Sequence, residues 1–188
     1  MSERQRQTVP FEGGGEGRLA PGTTQHPDLY DRIQAEIAKY PNRRSAIINA
    51  LRLAQEEYGW CSPEAIGEVS RAIDLSPATC QAVASFYDMF FLQPVGTHVV
   101  EVCTNVSCAL MGAGEVLQAL EDELGIHDKE TTPDGLVTLR TVECMGACGW
   151  APMVAVNERY QEHFQPEDAP ALVADLRSRP RPTHGHGH

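Results

Sequence analysis

The 188-residue chain has few aromatic side chains, little basic charge and no long apolar runs. Aromatics make up 6% and hydrophobic residues 41% of it. That suffices for a core only if the polar ends stay outside. Apolar runs break off within a few residues, which excludes a membrane-spanning helix and direct membrane insertion. The opening MSERQRQ is polar and no apolar signal segment follows, so export is not expected. Lysine and arginine number 15 against 26 acidic residues, a formal net charge of −11. No nucleic acid is expected as a partner, because phosphate neutralisation needs a basic face. A glycine-rich phosphate loop is also missing. GGGEG at 13–17 precedes no strand–helix unit, so no nucleotide site is expected in this chain.

The charge is unevenly spread. Residues 28–176 hold nine basic and twenty-three acidic side chains, whereas Arg177, Arg179 and Arg181 stand near the end. Two readings follow: a solvated acidic surface, or a face that meets a basic partner. Residues 1–27, rich in Gly, Pro and Thr, read as a disordered arm. Residues 179–188 read as a flexible tail, in which His184, His186 and His188 alternate with glycine.

Between the ends the pattern changes once. From Asp28 to about Phe91 it is helical. Leu29, Ile33, Ile37 and Tyr40 form one stripe, which Pro41 ends, and Ile47, Leu51, Ala54 and Tyr58 form a second before Gly59. Ser62-Pro63-Glu64 and Ser76-Pro77 are two helix starts, hydroxyl cap then proline. Ile66, Val69 and Ile73 line the third helix; Val83, Phe86, Tyr87 and Phe90 line the fourth. This predicts a small helical bundle over 28–94. After Pro94-Val95-Gly96, the β-branched run 98–102, a helix at 112–124 and a strand at 136–142 make a parallel βαβ unit. A hairpin (153–156 and 159–164) and a last helix at 167–178 complete a thioredoxin-like order. The expected fold class is α+β: a helical bundle, then a thioredoxin-like α/β domain over 95–178.

Six cysteines stand at 61, 80, 103, 108, 144 and 148. Without an export signal a reducing compartment is expected, where grouped cysteines serve metal or redox chemistry. Cys103 and Cys108 follow the first strand of the parallel pair, and Cys144 and Cys148 follow the second. Both loops therefore leave the same carboxyl edge of the sheet, so the two pairs converge. Four thiolates suit zinc, but zinc knuckles are commonly C-x₂-C, and here the gaps are four and three. A [2Fe–2S] cluster also takes four cysteines. The loops are rich in small residues: Ser107, Ala109, Gly112, Ala113, Gly114, Gly146, Ala147 and Gly149. Small residues let amides approach the sulfurs of an anionic cluster, and the helix starting near Gly112 aims its amino end there. Cluster, structural zinc and four reduced core thiols all remain open on spacing alone.

CTNVSCALMGAGEVLQALEDELGI and TVECMGACGWAPMVAVN resemble the E-type, or 24 kDa-type, subunit family of NADH-quinone oxidoreductase (complex I). AIINALRLAQEEYGW and VASFYDMFFL extend the resemblance over about residues 28–176. It implies a thioredoxin-like [2Fe–2S] domain behind a helical one, with Cys103, Cys108, Cys144 and Cys148 as the four ligands. It also implies docking on the subunit that carries FMN and the NADH site, beside other peripheral-arm subunits. The location implied is the cytoplasmic face of the membrane, or the matrix side in a mitochondrion. Related subunits serve NAD-linked hydrogenases and formate dehydrogenases, which stand as the alternative, with a zinc-stabilised interaction module as the other.

Cys61 and Cys80 lie away from these loops and read as small buried hydrophobes. Trp60 and Trp150 read as core or interface residues, with an electron path as the sharper reading. Tyr58, Phe86, Tyr87, Phe90 and Phe91 read as core first. His98, His127 and His163 show no ligand spacing.

Overall fold

The computed structural model describes residues 26–179. The expected arm and tail lie outside the described residues, except that His26 and Pro27 open the first helix and Arg179 closes the last.

Four helices come first: α1 (Pro27–Ile37), α2 (Ile47–Tyr58), α3 (Pro63–Ile73) and α4 (Pro77–Phe86). Their ends follow from local chemistry. The Ser62 hydroxyl accepts from the Ala65 amide and the Ser76 hydroxyl from the Thr79 amide, relieving amides that lack intrahelical partners. Gly59 ends α2 in the left-handed conformation, at φ +79. The stripes meet in one cluster with Leu29, Ile33, Leu51, Val69, Ile73 and Cys80 at its centre.

The fourth helix stops short of the sequence expectation. Tyr87 is already extended, and Phe86, taken for core, is 81% exposed. The cause is a grip from α2. The Gln55 side chain donates to the Met89 carbonyl (2.9 Å) and accepts from the Phe91 amide (2.7 Å). These bonds hold 89–91 unwound and turn Phe90 inward instead, where it is buried. Tyr58 is half-buried and Tyr40 lies beyond the end of α1.

The second part is a four-stranded sheet with helices on one face. Its strands are β1 (His98–Cys103), β2 (Val137–Val142), β3 (Val154–Val156) and β4 (Arg159–Gln161), in the order β2-β1-β3-β4. β1 and β2 are parallel, with Cys103 opposite Val142; β3 pairs antiparallel with both β1 and β4. Between β1 and β2 lie α5 (Val106–Leu110), absent from the sequence reading, and α6 (Ala113–Leu124). The helix expected at 167–178 divides into a 3₁₀ turn, Pro166–Asp168, and α7 (Ala169–Ser178). The outer strand ends at Gln161, shorter than expected; Phe164 turns into the core. Val100, Val102, Val116, Leu120, Leu139, Val173 and Leu176 are fully buried between sheet and helices.

The other face of the sheet meets the stretch 88–97. The Gly96 amide donates to the Thr138 hydroxyl at 2.6 Å. A side chain at Gly96 would come within 2.8 Å of the Val137 backbone, so this approach requires glycine. Next along β2, the Arg140 guanidinium lies over the Phe91 ring at 5.5 Å. It bonds Asp88 and reaches Glu101 at 3.2 Å.

Candidate metal centre at the carboxyl edge of the parallel strands

The parallel register places the four cysteines at one edge. Cys103 is the last residue of β1, and Cys144 comes two residues after the end of β2. The Cys103 amide donates to the Met153 carbonyl (3.0 Å), and the Thr104 amide to the Val142 carbonyl (3.0 Å). These bonds tie the first loop to β3 and β2. The Asn105 side chain then accepts from the Val106 amide (2.9 Å) and starts α5, whose one turn carries Cys108 back to a buried position. The signal for this helix was Asn105 itself, a cap residue missed because the run behind it is so short. Cys148 opens the 3₁₀ turn Cys148–Trp150, and the Trp150 amide donates to the Ala147 carbonyl (3.0 Å).

Cys103 and Cys108 are buried; Cys144 and Cys148 are exposed. Burial pushes the Cys108 thiol up, and its neighbours Cys103 and Cys148 push it the same way, while the Met153 backbone amide opposes them. Cys108 thus lies near a thiol of its own loop and near one of the second loop. Cys144 shares the second loop, and its sulfur accepts the Gly146 amide at 3.3 Å. Gly146 sits at φ +72, a conformation that favours glycine. Among the described residues, no three His, Cys, Asp or Glu side chains gather as they would around a single metal ion.

The donor set fits a sulfur-bridged two-iron cluster: four thiols in two loops, two of them next to backbone amides. Such amides are the donors that an anionic iron–sulfur cluster needs. Small residues open the second loop to them, as the sequence indicated. The edge is rimmed by exposed apolar side chains: Val106, Leu110 and Met111 from the first loop, and Trp150 from the second. Trp150 is half exposed and not a core residue; Trp60 is half-buried in the helical part. A contact that sequence reasoning missed also reaches this loop. The Tyr160 hydroxyl on β4 donates to the Met145 carbonyl at 2.7 Å.

The remaining candidates lie elsewhere. Cys61 and Cys80 are buried in the helical core, where burial pushes their thiols up to about 12 and about 11. His98 stands at the amino end of β1, away from Cys103 at its carboxyl end, and is buried. His127 lies 3.6 Å from Glu121. The His163 amide donates to the Trp150 carbonyl (2.8 Å).

Fold and site together define a class: a four-thiol protein on a small α/β sheet, with its thiols where parallel strands end. The family model for the thioredoxin-like [2Fe-2S] ferredoxin matches residues 33–177. The chain belongs to that family, whose cofactor is a [2Fe–2S] cluster. Among its relatives is the E-type NADH-quinone oxidoreductase subunit of Mycobacterium bovis, 41% identical over 156 residues; the match covers 81% of this chain and 62% of the relative. The chain thus spans about three-fifths of the length of that relative. A second E-type NADH-quinone oxidoreductase subunit, from Rhizobium meliloti, is 40% identical, covering 82% of this chain and 92% of the relative. NADH-quinone oxidoreductase subunit 2 of Thermus thermophilus is 42% identical, covering 80% and 85%. A crystal structure of an NAD+-reducing [NiFe]-hydrogenase shares the fold. Its TM-score is 0.64 at 22% identity, over 71% of this chain and 22% of that one.

Proposed function

We propose that the chain is an electron-transfer subunit of an NADH dehydrogenase of the complex I type, holding one [2Fe–2S] cluster on Cys103, Cys108, Cys144 and Cys148. The observation that supports the reading is that both cysteine-bearing loops leave the same carboxyl edge of the parallel strands, with the Gly146 amide on the Cys144 sulfur. When bound, such a cluster supplies a one-electron relay. The chain's own residues do the rest. Cys103 and Cys108 are held from below by β1 and α5, which keeps water from the inner side of the site. Cys144 and Cys148 stand at the rim, where a partner can approach.

The proposed electron donor is FMN in the NADH-binding subunit of the same complex, with other peripheral-arm subunits alongside. The exposed rim of Val106, Leu110, Met111 and Trp150 supports docking at this edge. Among the described residues, no helix is long and apolar enough to cross a membrane. From the likeness to complex I subunits, the proposed place is peripheral, on the cytoplasmic face through the complex, or on the matrix side in a mitochondrion. Relatives about 40% identical carry NADH-quinone oxidoreductase names, whereas the hydrogenase likeness shows the fold alone.

The test is anaerobic. Cluster-loaded protein mixed with NADH should keep its visible absorption, and bleaching should begin when the flavin subunit is added. Rapid bleaching by NADH alone would mean that this chain carries its own nucleotide and flavin site, and the division of labour would fall.

A further inference from the structure

Two hydrogen bonds at the metal edge share one peptide group. The Gly146 N–H that donates to the Cys144 sulfur (3.3 Å) and the Met145 C=O that accepts from the Tyr160 hydroxyl (2.7 Å) are the two ends of the 145–146 amide. A peptide group is planar and rigid, so fixing its oxygen fixes the direction of its hydrogen. It is also polarisable. A donor on the oxygen draws electron density from the nitrogen and strengthens the bond that the N–H makes.

From this relay we infer that Tyr160 is a positioning residue for the metal centre, acting on the Cys144 sulfur through the 145–146 peptide. The inference rests on the proposed ligand set, because Cys144 must be a ligand for the relay to end at the metal. The placement suits the role. Residues 143–147 form no helix or strand, so the loop has no ladder of its own to orient this amide. Tyr160 stands on β4, opposite Ala155 of β3, so its ring starts from the sheet rather than from the loop. Gly146 at φ +72 is a residue whose backbone freedom would let the amide turn away from sulfur if nothing held its far side. Tyr160 is 51% exposed, so a role in core packing does not account for it.

The consequence is electronic as well as geometric. Reduction adds negative charge to a centre that is already anionic, and an N–H aimed at a ligand sulfur stabilises the reduced form more than the oxidised one. Hydrogen bonds to the sulfurs are among the factors that set the potential of such clusters. Removing the Tyr160 hydroxyl should therefore lower the midpoint potential while leaving the iron content unchanged.

The experiment compares full-length, cluster-loaded wild type, Tyr160→Phe and Arg159→Ala. Iron and sulfide are counted, the midpoint potential is titrated, and the reduced state is probed by pulsed EPR for exchangeable-proton couplings after transfer to D₂O. Tyr160→Phe should keep full iron, show a lower potential, and show a weakened or reoriented coupling from the Gly146 amide proton. Arg159→Ala, on the same strand, should match wild type in both. A shift of equal size in Arg159→Ala would assign the effect to the strand and overturn the inference, and so would a loaded Tyr160→Phe protein identical to wild type. Should Tyr160→Phe lose its cluster, 3-fluorotyrosine at the same position decides. Being a stronger donor of similar size, it should raise the potential near neutral pH, and an unchanged potential would again overturn the inference. A wild-type protein that takes up no iron–sulfur centre would remove the ligand assignment itself, and this inference with it. An unchanged loaded Tyr160→Phe removes the inference alone.

Discussion

The helical region and the sheet region use buried surface for different ends. In the helices the buried positions are mostly apolar; Glu68 and Ser70 of α3 are buried as well, the Ser70 hydroxyl donating to the Leu75 carbonyl, and the helix ends are met by Ser62, Ser76 and Gly59. The sheet region has one face of that kind, with Val100, Val102 and Leu139 against α6 and α7. Its other face carries Glu101, Thr138 and Arg140, and its carboxyl edge carries thiols. The helical region is held by packing and by hydrogen bonds among its own groups. The sheet region has at its edge thiols that packing does not account for and that a cluster would.

The sharpest way to break this contrast is to remove thiols from each side. Cys103→Ala, Cys108→Ala, Cys144→Ala and Cys148→Ala should each lose the cluster and loosen the sheet region, because metal binding and folding are coupled. Cys61→Ala and Cys80→Ala should keep two irons per chain. Iron and sulfide analysis with the visible spectrum reads the difference. Full iron and an unchanged spectrum in Cys144→Ala would sink the ligand assignment.

Next in size come core truncations. Leu51 and Leu139 are both fully buried, one in each cluster. Either one changed to Ala should cost about 3 kcal/mol, the common range for buried leucine. We propose that the two regions are separate domains with a boundary near residues 92–96. On that reading Leu139→Ala destabilises the cluster-bearing part, while Leu51→Ala leaves the cluster's loss temperature in place and moves only the helical unfolding signal. Calorimetry and visible absorption followed together check this. A single transition lowered equally by both variants would show one cooperative unit.

A smaller effect tests what joins the regions. Arg140 contacts Asp88 and Phe91 on one side and Glu101 on the other. Burial pushes the Glu101 carboxyl up, and Arg140 holds it down against that. Arg140→Met keeps much of the stem but leaves Glu101 half-buried without its partner, at a cost of about 2 kcal/mol. Most of this should belong to Glu101, since Asp88 is exposed and its pairing is screened. Adding Glu101→Gln should therefore recover much of the loss. A double variant that shows simple additivity in urea unfolding would contradict this.

The legible parts of the molecule were those written in short stretches of sequence. Ser62-Pro63 and Ser76-Pro77 mark helix starts within three residues, and Gly59 and Gly125 mark ends by their conformation. The parallel pair and the shared edge followed from strand order, so the cysteine positions were readable without side-chain detail. What stayed hidden depends on contacts distant in sequence. Gln55 on α2 holds 89–91 from 34 and 36 residues away, and no local pattern around Phe86 announces it. Tyr160 meets Met145 fifteen residues away, through a hydroxyl on an edge strand. The short α5 was missed for a different reason: five residues are too few for a periodic stripe to show.

The smallest expected effect concerns acid and sets the two ends of β1 apart. His98 is buried at the amino end of that strand, opposite the thiols. Its Nδ1 lies 3.3 Å from Asn157 Nδ2, whose own Oδ1 accepts the Val99 amide at 2.8 Å. With Nδ1 accepting, the ring is neutral and carries its proton on Nε2. Burial holds its pKa below the ordinary 6.5, Arg179 acts the same way, and Asp175 acts against them. The sign follows from proton counting. Above 6.5 the ring is neutral in both folded and unfolded chains and contributes no pH dependence. As the pH falls below 6.5, the unfolded chain binds a proton that the folded one refuses, so stability is lost until the lowered folded value is passed. His98→Gln keeps an oxygen able to accept from Asn157 and does not titrate. Between pH 7 and pH 5 the wild type should lose more in melting temperature than His98→Gln. The other histidines are common to both proteins, so the comparison isolates position 98. Parallel melting curves across that interval would show that the buried ring finds a way to hold its proton, and the contrast between the two ends of β1 would be one of position alone.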